Sequence, residues 1–119
     1  MTITFLGTGT SQGVPVIGCP CPVCQSLDFR DKRFRAAVHL AVQGQSFVID
    51  TGPDFRMQML REGIKQLDAV LFTHEHKDHT AGLKLTHDSL KEQNFSNWEM
   101  FIVVGKSRDL TLLEAIMLR

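Results

Sequence analysis

The run Thr73-His74-Glu75-His76-Lys77-Asp78-His79 follows directly on the apolar stretch from Leu67 to Phe72, and no other segment constrains the chain as strongly. Leu67 to Phe72 reads as a short strand. Asp78 suits a helix N-terminus, where a carboxylate meets the positive end of the macrodipole. Strand ends and the loops that follow them are where α/β proteins place reactive groups. This junction holds three imidazoles and a carboxylate within six positions. Buried unpaired they would be costly, whereas divalent cations satisfy them together.

His74 and His76, two apart in an extended segment, point the same way and suit one ion. A bend after Lys77 brings Asp78 and His79 toward a neighbouring position. Glu75 and Lys77 alternate away and are expected to face solvent. Two ions about 3.5–4 Å apart can share a water, lower its pKa and clamp a substrate oxygen. The implied reaction is hydrolysis of an ester-like or phosphodiester bond by a metal-activated hydroxide. Zinc fits the donor set, with manganese or iron as alternatives. A single structural metal and a chance cluster of surface groups are the competing readings.

All three cysteines fall in Cys19-Pro20-Cys21-Pro22-Val23-Cys24. An odd count without a signal sequence argues against a disulfide framework. The spacing suits three thiolates around one zinc with a fourth ligand from elsewhere, the alternative being a Pro-rich loop with reduced thiols.

Along the chain, Thr2 to Leu6 reads as a first strand ended by Gly7-Thr8-Gly9-Thr10-Ser11-Gln12-Gly13. An ordered loop follows to about Arg35. Ala36 to Val42 alternates, with Ala36, Val38, Leu40 and Val42 on one face and His39 on the other, as a structural or exposed histidine. Gly44-Gln45 turns the chain into a strand from Ser46 to Asp50. Pro53 fits the first turn of a helix carrying Phe55, Met59 and Leu60 and ending near Gly63. The helix after the histidine run is expected to reach about Lys91, with a strand over Phe101 to Val104 and a closing helix from Arg108 to Leu118. The glycines after the first strand match a dinucleotide-binding loop only loosely, and Val14-Pro15 opposes the helix such a loop needs.

Thirteen basic residues balance thirteen acidic ones, so composition does not point to nonspecific nucleic-acid binding, and Arg30 to Arg35 reads as a solvated basic stretch. Apolar content of 43% is ordinary for a globular domain. No apolar run approaches the roughly 20 residues that span a bilayer, so no membrane association is expected. The N-terminus lacks a basic region and a cleavage site, and the cytoplasm is the expected compartment.

His74-Glu75-His76-Lys77-Asp78-His79 resembles the H-x-H-x-D-H signature of the metallo-β-lactamase superfamily. Phe5 to Pro15, followed by Gly18-Cys19-Pro20-Cys21, is similar to the branch holding the phosphodiesterase of the carbon–phosphorus lyase pathway, with tRNA 3′-processing endonucleases as more distant relatives. Ile49-Asp50-Thr51-Gly52 is similar to the second strand-end motif. The resemblance implies an α/β (α+β) fold, a four-layer αββα sandwich, with its N-terminal half over residues 1–83; it stops there, and residues 84–119 read as a divergent helix-strand-helix tail. It implies that His74 and His76 serve a first zinc and Asp78 and His79 a second. Asp78 would also steer the attacking hydroxide as the catalytic residue. Asp50 would orient the loop without binding metal, and Cys19, Cys21 and Cys24 would hold a structural zinc with a later histidine.

In the family, further ligands come from a second half, and the remaining histidine, His87, does not match them. The expectation is therefore a truncated hydrolase of a small phosphodiester or similar ester, weakly active or inactive alone. A half sandwich exposes an apolar inner face, which a homo-oligomer would cover. The alternative is a noncatalytic zinc-binding or interaction module derived from the same fold.

Overall fold

The computed structural model describes residues 1–83 and the backbone of Glu99–Ile102. Five strands form one sheet in the order β1-β2-β3-β4-β5: β1 (Thr2–Gly7), β2 (Ala37–Val42), β3 (Gln45–Ile49), β4 (Ala69–Phe72) and β5 (Glu99–Ile102). The first three pair antiparallel, and β3-β4 and β4-β5 pair parallel. The hairpin turn between β2 and β3 is Gln43-Gly44, both at positive φ (51° and 80°), the backbone that a two-residue hairpin loop requires. It lies one residue before the expected position, and Gln45 is already in the strand.

Residues 8–36 hold more structure than an ordered loop. A short helix, α1 (Pro22–Gln25), and a 3₁₀ turn over Phe29–Asp31 sit within it. Val14 and Arg33 exchange backbone hydrogen bonds at 2.9 Å, and Gly9 N–H donates to the Phe34 carbonyl at 2.7 Å. The loop therefore closes back on itself beside the end of β1. Gly7 permits this, since a Cβ there would stand 2.0 Å from the Arg35 carbonyl oxygen.

Helix α2 (Phe55–Glu62) begins two residues after Pro53, so the proline lies in the preceding turn and not in the first helical turn. Asp54 occupies the N-cap without a side-chain capping bond, because its carboxylate is committed to Arg35. The helix ends at Gly63, φ 63°, as expected. There the Gly63 and Ile64 N–H groups donate to the Leu60 and Met59 carbonyls. Residues 77–83 form a third helix, α3. The expected extension to Lys91, His87 and the closing helix lie outside the described residues, and the last expected strand is found slightly earlier, as β5.

Alternation sorts the sheet into two faces. Thr4, His39, Val48 and Val70 align across β1 to β4 in one row. On that face Val48, Val70 and Phe72 join Leu6, Ala37, Phe55, Met59, Leu67 and Leu83 in one buried cluster. On the other face, Phe5, Val38, Ile49 and Leu71 align, as do Ile3, Leu40 and Phe47. Ile3 and Phe5 are 52% and 66% exposed, and the remaining five are half-buried. The larger alternating side chains thus occupy the more open face. The helix covers the face that carries His39.

Candidate metal centre

The site is built where β3 and β4, parallel neighbours, both end. Asp50 leaves β3 with its N–H on the Leu71 carbonyl at 2.9 Å, then takes the left-handed conformation at φ 61°. Aspartate is among the few non-glycine residues that tolerate this region. The turn places the carboxylate, 6% exposed, beneath the histidine loop. It accepts from Thr73 N–H at 2.9 Å, from the Thr73 hydroxyl at 2.7 Å, and lies 2.8 Å from His79 Nδ1. Three partners satisfy a charge that would otherwise be costly to bury.

The backbone ties the two strand ends together. Thr51 N–H donates to the His79 carbonyl at 2.7 Å, and Gly82 N–H to the Thr51 carbonyl at 2.8 Å. Two glycines make this approach possible. A Cβ on Gly52 would stand 2.1 Å from the Asp78 carbonyl oxygen, and one on Gly82 would stand 1.9 Å from the Gly52 carbonyl oxygen. These contacts are between main chains, which is why the motif gave no hint of Gly82 as a functional position.

The loop brings the three imidazoles together. His74 and His79 have ring centroids 3.9 Å apart, and His74 and His76 4.6 Å apart. His79 Nε2 lies 3.3 Å from Asp78 Oδ2. Because Asp50 takes Nδ1 of His79, the lone pair of the neutral ring falls on Nε2, the arrangement of a carboxylate-backed metal ligand. Lys77 is exposed as expected, whereas Glu75 is half-buried. His39 lies apart, half-buried, 2.8 Å from the Ser46 hydroxyl, and burial lowers its pKa. A groove of about 440 Å³ lined by Thr4, His39, Ser46 and Gln66 is likewise separate from the loop.

Cys19, Cys21 and Cys24 form the tighter donor group. Among the described residues they are the one set of three metal-binding atoms all within 4.8 Å of each other. The histidine loop, by contrast, brings ring centroids close and sets His79 Nε2 beside Asp78 Oδ2, but no three of its donor atoms lie within that distance of one another. Cys21 caps α1, and the Cys24 N–H donated to its sulfur pulls its pKa down, aided by contacts with Cys19 and Cys24. At Cys24 the Val16 N–H also pulls downward, but burial and the two neighbouring sulfurs outweigh it and the net shift is upward. Three sulfurs this close together form a donor set that a zinc ion satisfies.

The family model for the beta-lactamase superfamily domain matches residues 45–107, more than half of the chain and past residue 83, where the motif resemblance ends. An octanoyltransferase of Porphyromonas gingivalis is 52% identical over 84 residues, spanning 70% of this chain but 17% of that protein. A diphosphatase of the PhnP family has a similar structure, with a TM-score of 0.71 and 38% identity over 85% of this chain and 50% of that one. The zinc-bound PqqB of Methylobacterium extorquens shares the fold at a TM-score of 0.63 and 21% identity, over 87% and 49% of the respective chains. The chain thus spans about half the length of these solved structures and a small part of the octanoyltransferase.

Proposed function

The chain belongs to the beta-lactamase superfamily, and from that premise we propose that it carries part of a metal-dependent hydrolase site for phosphodiester-type bonds. The observation that carries this reading is the Asp50 carboxylate, which backs His79 through Nδ1 and leaves Nε2 to face an electrophile. A buried acid placed behind an imidazole is what a metal ligand needs to be held in one orientation. In this reading His74 and His76 would hold one ion and Asp78 and His79 a second. Such ions supply Lewis acidity and lower the pKa of water. Zinc suits the donors, and manganese or iron suits them too.

The chain's own groups would do the rest. Asp78, whose Oδ2 lies beside His79 Nε2, would orient an attacking water and accept its proton. The diphosphatase at 38% identity supports a small phosphate ester or anhydride as substrate. Cys19, Cys21 and Cys24 would hold a separate structural zinc. Because the chain spans half of that diphosphatase, further ligands would come from the other half of the fold, and turnover by these residues alone would be weak. Cytoplasmic residence is part of the same proposal. No helix among the described residues is long and apolar enough to cross a membrane.

The compact thiol trio favours a second reading, a noncatalytic zinc-binding module. Hydrolysis of bis(p-nitrophenyl) phosphate by the wild type, His76→Ala and Asp78→Ala separates the two. Metal-dependent turnover that both variants abolish is expected. Equal background rates in all three, with one zinc per chain removed only by losing the cysteines, would establish the module instead.

A further inference from the structure

Thr73 stands between the buried carboxylate and the first histidine of the loop, and the one proton on its hydroxyl is already committed. A carboxylate oxygen only accepts, so the 2.7 Å contact with Asp50 Oδ2 uses that proton. The same hydroxyl oxygen lies 2.9 Å from His74 Nδ1. Toward that nitrogen it is left with lone pairs alone and acts as an acceptor. Nδ1 of His74 must therefore carry the hydrogen, and the lone pair of the neutral ring falls on Nε2. Asp50 sets the same tautomer in His79 by direct contact at 2.8 Å. One buried acid thus governs two rings whose centroids are 3.9 Å apart, one directly and one through a hydroxyl.

Resting on the hydrolase reading above, we infer that Thr73 is a positioning residue. Its hydroxyl relays the Asp50 carboxylate to His74 and selects Nε2 as that ring's metal-binding atom. Thr73 touches neither substrate nor the reacting atoms and acts only through His74. Valine at this position keeps the branched shape and removes the relay, and serine keeps the relay without the methyl group.

Nitrogen-15 histidine spectra of the full chain without metal, at about pH 8.5 where imidazoles are neutral, read the tautomer directly. His74 is expected as Nδ1–H in the wild type and in Thr73→Ser. In Thr73→Val it should move to Nε2–H, the form free imidazole prefers. Thr73→Ala gives the same reading if the valine chain does not fold. Mn²⁺ titration then probes the loop separately from the thiols, which favour zinc. Affinity should fall about tenfold in the valine variant and recover in the serine one. Nε2–H at His74 in the wild type overturns the inference, as does a valine variant that keeps Nδ1–H or changes tautomer with unchanged Mn²⁺ affinity. A wild type with the expected tautomer that binds no Mn²⁺ removes the hydrolase reading itself, and the positioning role falls with it.

Discussion

Asp50 sits at φ 61° with its carboxylate buried, accepting both donors of Thr73 and facing His79 Nδ1. Asparagine also tolerates the left-handed region, so Asp50→Asn keeps the backbone while removing the charge and one acceptor oxygen. Metal affinity at the histidine loop should fall about 10- to 100-fold, the usual cost of losing a partner behind a ligand. Mn²⁺ titration of the two chains checks this. His39 offers an independent test away from the site. Burial lowers its pKa, so the native state prefers the neutral ring and the unfolded chain binds the proton more readily. Its contribution is complete above about pH 6.5 and is lost as pH falls below that value. Urea midpoints measured from pH 8 down to about pH 5 should therefore fall less steeply in His39→Gln than in the wild type.

At the scale of the elements, the junction between the Asp50–Gly52 turn and α3 is set by two main chains in contact. In Gly82→Ala the new methyl would meet the Gly52 carbonyl oxygen at 1.9 Å and Phe55 Cβ at 2.6 Å. Neither neighbour can swing aside as a flexible side-chain end would. The variant should lose about 3 kcal/mol by urea denaturation, the upper range for overpacking, and lose metal affinity as α3 is displaced. Gly63→Ala, where a Cβ meets nothing within 4 Å but φ is 63°, should cost only about 1 kcal/mol.

These elements also show what could be read from the sequence. Alternation marked β2 and β3, and glycine marked the end of α2, because both signals are local. Asp50 and the four loop residues were legible as a spaced motif. Their backing was not, since Thr73, Gly52 and Gly82 act through one hydroxyl and two missing side chains. Pro53 misplaced the start of α2 because Asp54, committed to Arg35, follows it. That bond joins residues nineteen apart, which no local pattern contains. Alternation likewise distinguished the two faces of the sheet but not which one the helix covers.

For the molecule as a whole, the decisive feature is that choice of face. Ile3, Phe5, Val38, Leu40, Phe47, Ile49 and Leu71 line the side of the sheet opposite the buried cluster, and none of them is fully buried. Ile3 and Phe5 lie on β1, which among the described residues is an edge strand paired only with β2. Contiguous apolar surface on a sheet edge drives association, because removing it from water returns roughly 25 cal/mol per Å². The match to the solved diphosphatase spans half of that chain. Sedimentation velocity at rising concentration should therefore show species larger than the monomer. Ile3→Lys combined with Phe5→Lys should shift the distribution toward monomer, since like charges on one edge repel and resist desolvation. The same double variant should leave Mn²⁺ affinity at the loop unchanged, as Ile3 and Phe5 make no contact with Asp50, Thr73 or the three imidazoles among the hydrogen bonds and ring contacts that build the site. A wild type that stays monomeric at every concentration would show that this face is covered within the chain itself. Association that survives both lysines would place the contact on another surface.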